Sequence, residues 1–243
     1  MRHFLPVPVI ALLAACVPST SLPPIEPDGE EGVARARSAA YEAGQNAART
    51  FLSVVSKVEP VAEALCREKG VARSCDFRIV IDDRPGQPPN AFQTLDAHGR
   101  PIIGFTLSLI ADARNADELA FVLGHEAGHH IAGHIPKQRD VVLADALVAG
   151  VQAKADGQSK EAVKAAQDRA TALAVRGYSQ GYELEADALG AEIALLAGYD
   201  PIRGSGFFDR LPEPSNGFLR THPSNARRKA MVKATVERLT NEP

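Results

Sequence analysis

The chain has 243 residues, of which 45% are apolar, enough to enclose a sizeable core. A net charge of −3 leaves no electrostatic footprint for nucleic acid, and the absence of tryptophan with only 5% aromatic residues removes stacking platforms for bases. Nucleic acid is therefore excluded as a partner.

The N-terminus reads as a targeting segment, with Arg2, an apolar run over 4–15 and then Cys16. The run is too short to span a bilayer as a permanent helix. Leu13-Ala14-Ala15-Cys16 resembles the lipobox of bacterial lipoproteins, which implies a signal peptide over 1–15, cut before Cys16, and a lipid on Cys16. An ordinary secretory signal cut after a small residue is the other reading. Val17 follows the cysteine in place of Asp, which by the sorting rule of enteric bacteria implies the outer membrane. Residues 16–29 are rich in Pro and Ser and read as an extended tether of roughly 40 Å at about 3.1 Å per residue. The expected location is the cell envelope, facing the periplasm, with membrane contact through the lipid alone. In that oxidising compartment Cys66 and Cys75 are expected to pair as a structural disulfide.

Residues 30–243 are read as one domain. A helical pattern covers 30–69, broken at Pro60. Strands are predicted at 77–81, 91–95 and 101–105, the last two forming a hairpin turned by Asp96-Ala97-His98-Gly99. Asn115 or Asp117 caps a helix expected to run to about His134 and stop near Pro136. An Ala-rich stretch, 138–175, reads as one or two helices interrupted near Gly157. A helix over 179–196 is ended by Gly198, a short one is expected in 201–211, and a last one in 223–240. The fold class is α+β, mainly helical, with a small antiparallel sheet.

His125-Glu126-Ala127-Gly128-His129 fits HExxH. Histidines at i and i+4 share a helix face, so both imidazoles reach one metal, and Glu126 lies beside the open position as general base and then acid. Imidazole and carboxylate donors with an open site favour zinc. The apolar approach 118–123 makes a chance match on a solvated helix less credible. A third ligand is needed. The extended motif HExxHxxGxxH fails, because Ala132 and Ile135 stand where Gly and His are required. At 100° per residue His134 lies about 180° from His125, so it is set aside as a ligand of the same metal; both it and His130 are expected at the surface. The remaining option is a carboxylate from Glu183-Leu184-Glu185-Ala186-Asp187. Glu183 and Asp187 share a face, so Glu183 can bind the metal while Asp187 orients a histidine through its other nitrogen. Alone, this acidic run reads rather as a solvated face; beside HExxH it becomes the leading candidate.

HEAGH followed by GYELEADALG resembles the gluzincin family of the CAAX prenyl protease, the heat-shock protease HtpX and the periplasmic protease BepA. Asn90-Ala91-Phe92, Asp117-Glu118-Leu119-Ala120, Gly198-Tyr199-Asp200-Pro201 and Thr221-His222-Pro223 add to the resemblance, which covers about residues 76–235. It implies Glu183 as the third zinc ligand, Asp187 behind it, and His222 at the active site, in contact with the metal or stabilising the tetrahedral intermediate. It also implies Arg228 as the basic residue that follows the THP motif. Relatives often carry Arg where this chain has Gln180, so that arginine's role does not transfer. The transmembrane helices of two of those relatives have no counterpart here, which points to the periplasmic branch. The implied activity is endopeptidase hydrolysis by a zinc-activated water, acting on unfolded or misassembled envelope proteins, with outer-membrane assembly machinery as a further partner. If 91–95 is an edge strand, an extended polypeptide can pair with it. The alternative is a lipid-anchored chaperone whose metal site is blocked by His222, with 138–175 as partner surface or plug. Plain helix packing explains that stretch more simply.

Overall fold

In the computed structural model the described residues are 30–70, 72, 74–177, 179–213 and 223–241. Cys16, the targeting segment, the tether and His222 lie outside them. The chain divides into two units, 1–42 and 43–243. The described part of the first is the exposed start of helix α1 (Glu30–Lys69). The second holds the sheet and helices described below, a mainly helical α+β fold.

Helix α1 continues through Pro60 without a break. Its buried stripe, Phe51, Val54, Val58, Ala62 and Leu65, recurs every three or four residues. That stripe packs into a core with Phe77, Ile103, Phe105, Leu109, Leu123 and Ile131, and the Phe51 and Phe105 rings meet edge to face at 5.1 Å. Where α1 ends, Cys66 and Cys75 are joined by a disulfide with Cα atoms 5.6 Å apart.

Three strands follow: β1 (Arg78–Asp82), β2 (Ala91–Leu95) and β3 (Pro101–Thr106), in the order β1-β3-β2. The β2–β3 hairpin is antiparallel, pairing Ala91 with Phe105 and Leu95 with Pro101. Its turn is held by Asp96, whose Oδ1 accepts from the amides of His98 and Arg100, and Gly99 supplies the positive φ of 80°. The sheet is mixed, not purely antiparallel, because β1 runs parallel to β3 from Arg78↔Ile102 to Asp82↔Thr106. The chain crosses over through the loop after β1 and through β2, so β1 and β3 start at the same end. Arg100 ties those starts together, donating to the Asp76 carbonyl at 3.1 Å and to its carboxylate at 3.0 Å. β2 is left as an edge strand packed against α3.

After the short α2 (Leu107–Asp112) comes α3 (Ala116–Ile131). Asn115 caps it by accepting from the Glu118 amide at 3.0 Å. Glu118 is itself buried and clamped by Arg210, with two contacts of 2.8 Å. The helix ends before His134: Ala132 closes it and Gly133 takes φ 68°, after which α4 (His134–Ala155) sets off in a new direction. Pro136 falls in the first turn of α4, where its missing N–H has no helical partner to lose, so it does not stop the helix. Gly157, at φ 70°, separates α4 from α5 (Lys160–Gly177). Then come α6 (Ser179–Leu196), α7 (Pro201–Gly204), a 3₁₀ turn (Ser205–Arg210) and α8 (Asn225–Asn241). Among the described residues no helix is long and apolar enough to cross a membrane.

Candidate metal centre

The site lies where α3 meets α6. The two helices touch through residues with little or no side chain. A Cβ on Gly124 would meet the Gly190 carbonyl at 2.8 Å, one on Gly190 would meet the His125 amide nitrogen at 2.7 Å, and one on Gly128 would meet the Ala186 carbonyl at 3.1 Å. This close approach lets a short carboxylate on α6 reach imidazoles on α3.

His125 Nε2 and His129 Nε2 face each other at 3.1 Å. Glu183 brings Oε1 to 3.4 Å from His129 Nε2 and Oε2 to 3.7 Å from His125 Nε2. One ligand atom from each of the three lies within 4.8 Å of the others. Donors about 2.0 Å from a tetrahedral zinc stand roughly 3.3 Å apart, so the two-nitrogen, one-oxygen set fits that ion in spacing and in chemistry. Glu126, one residue after His125, is partly buried. Burial raises its carboxyl above the ordinary glutamate value; Glu183 pushes the same way, while His125, His129 and Arg228 pull it down.

Behind the donors stands a buried ion cluster. His125 Nδ1 donates to Asp187 Oδ1 at 2.9 Å, and Asp187 is fully buried. Arg228, from α8, donates to both Asp187 oxygens at 2.6 and 2.8 Å and lies 3.2 Å from Glu183. Its guanidinium stacks on Phe208 at 4.1 Å. Burial depresses the basicity of His125, but its bond to Asp187 and that residue's charge outweigh burial and raise it. Arg228 likewise stays charged against burial because Asp187 and Glu183 face it.

Two histidines expected at the surface are buried. His134 is 3% exposed: its Nδ1 lies 2.8 Å from His129 Nδ1, its Nε2 3.1 Å from Glu185, and its ring stacks on Tyr182 at 4.1 Å. Burial pushes it down to about 4. The expected separation from His125 assumed one continuous helix, and the break at Ala132–Gly133 brings the ring back beneath His129 instead. His130 is buried against Phe77 and donates to the Ser74 carbonyl at 2.6 Å, next to the disulfide. Sequence reasoning missed both. The signal for the first was Gly133 with Pro136 three residues on, a helix end followed by a helix start. The small residues at Gly124, Gly128, Ala186 and Gly190, four apart on each helix, were the unread sign of close packing.

Residues 52–236 match the family model described as Peptidase family M48. No curated protein matches the chain. The match spans well over half of the sequence, and the chain belongs to this family of metallopeptidases.

Proposed function

We propose that this member of Peptidase family M48 is a zinc-dependent endopeptidase. His125, His129 and Glu183 would hold the ion and Glu126 would serve as its base. The observation that carries the reading is the convergence of those three donors within 4.8 Å, one residue away from a carboxyl raised by burial. A zinc ion held there supplies Lewis acidity, lowering the pKa of water and polarising a carbonyl.

The rest of the chemistry belongs to the chain. Glu126 takes a proton from the nucleophile and delivers it to the leaving amine; a carboxyl lifted by burial is better matched to both transfers than an ordinary one. Asp187 holds the hydrogen of His125 on Nδ1, leaving Nε2 free to bind. Arg228 neutralises Asp187 and steadies Glu183. The edge strand β2, packed against the helix that carries HExxH, suits main-chain pairing with an extended polypeptide and little sequence preference. We further propose unfolded or misassembled envelope proteins as substrates, anchoring through a lipid on Cys16, and a periplasmic outer-membrane location beside its assembly machinery.

The test is incubation of unfolded casein with the chain and with Glu126→Gln. Cleavage by the parent alone is expected. Cleavage by neither would replace catalysis with the chaperone reading, and cleavage by both would remove Glu126 from the mechanism.

A further inference from the structure

His125 and His129 on α3 are supported in different ways, and the hydrogens can be assigned along the second support one at a time. Glu185 lies 3.1 Å from Nε2 of His134. A carboxylate accepts, so that nitrogen carries the hydrogen, and in a neutral ring Nδ1 is then a bare acceptor. Nδ1 of His134 lies 2.8 Å from Nδ1 of His129, so the hydrogen in that contact belongs to His129. With its hydrogen on Nδ1, His129 presents a free lone pair at Nε2, the atom that faces His125 and Glu183. The opposite tautomer would put a hydrogen where the metal has to bind. Tyr182, stacked at 4.1 Å and 18° from the plane of His134, fixes the tilt of that ring and hence the aim of its lone pair.

We infer that His134, ordered by Glu185 and Tyr182, is a positioning residue that locks His129 into the tautomer and orientation able to bind the metal. The inference rests on the metal reading above and goes beyond its ligand set, adding a Glu185–His134–His129 relay. His134 itself does not bind the ion. A purely structural role would come from its burial and its stack on Tyr182, so the test must separate the acceptor atom from the aromatic ring.

Two substitutions do so. His134→Phe keeps the stack and deletes the acceptor. His134→Asn gives up the stack but returns an oxygen at nearly the position of Nδ1. Zinc affinity is measured for both and for the parent by chelator competition, with helical content of the metal-free forms taken alongside. The relay predicts zinc binding about 10–100-fold weaker in His134→Phe. It predicts recovery of most of that loss in His134→Asn. A packing role predicts the reverse order. Parent-like affinity in His134→Phe, or affinity in His134→Asn no better than in His134→Phe, overturns the relay while the metal reading stands. A parent that binds no zinc overturns both.

Discussion

The imidazoles of His125 and His129 are one helical turn apart on α3, yet one is anchored in the protein's interior and the other near its surface. His125 donates directly to Asp187, which is fully buried and clamped from two sides by Arg228. His129 is tied through a second ring, His134, to Glu185, which is about half exposed. The direct arm is an ion cluster in a dry setting, where loss of one partner strands the others. The relayed arm ends in a carboxylate that water can replace. One arm is therefore part of what holds α6 and α8 to α3, whereas the other, on the reading proposed above, aims His129 and ends in a half-exposed carboxylate.

The sharpest separation of chemistry from either arm is Glu126→Gln. It should lower peptide cleavage by about 10²–10⁴-fold while bound zinc, measured by elemental analysis, stays unchanged. A variant that lost its metal would show that Glu126 supports the arms as well. Next in size is Asp187→Ala, which leaves Arg228 charged and underpaired in the interior. A loss of about 3–5 kcal/mol in unfolding free energy is expected by denaturant titration. Glu185→Ala should cost under about 1 kcal/mol. Similar losses from both would erase the distinction between the arms.

About two helical turns before His125, the start of α3 provides a control. Burial works against the Glu118 carboxylate, but hydrogen bonds from Arg210 and the Arg114 amide more than offset it, and the group is held below its ordinary value of 4.5. With the folded value below the unfolded one, the unfolded chain binds more protons as pH falls. The stabilisation is complete above the ordinary glutamate range and is lost as pH drops through the depressed value. Glu118→Gln should cost about 1–3 kcal/mol near neutrality, a gap that closes on acidification, with no change in zinc affinity at neutral pH. The smallest effect expected is that of Glu185→Gln on zinc affinity, about threefold or less, since the amide oxygen still accepts from His134. A tenfold loss would mean that the charge of Glu185 contributes as well as its position.

The difference between the arms also marks what the sequence made legible. HExxH and the Glu183–Asp187 pair obey helical spacing within unbroken helices, so residue offsets translate into shared faces. The β2–β3 hairpin was equally readable, because Asp96 and Gly99 lie within its own turn. The relayed arm crosses a helix break. Once Gly133 adopts its left-handed conformation, rotation per residue no longer predicts where His134 points. The parallel pairing of β1 with β3 joins segments more than 20 residues apart, from Arg78↔Ile102 to Asp82↔Thr106, a register that no local pattern announces. Arg228 was drawn only from its place after a motif; its grip on Asp187 needed α8 to fold back onto α6.

The central claim is that α3 and α6 together build one metal site, and metal content tests it most directly. Purified chain and a Glu183→Ala variant, dialysed against the same trace zinc, should differ: about one zinc per chain in the parent and far less in the variant, with helical content alike. No zinc in the parent, or equal zinc in both, would contradict the account.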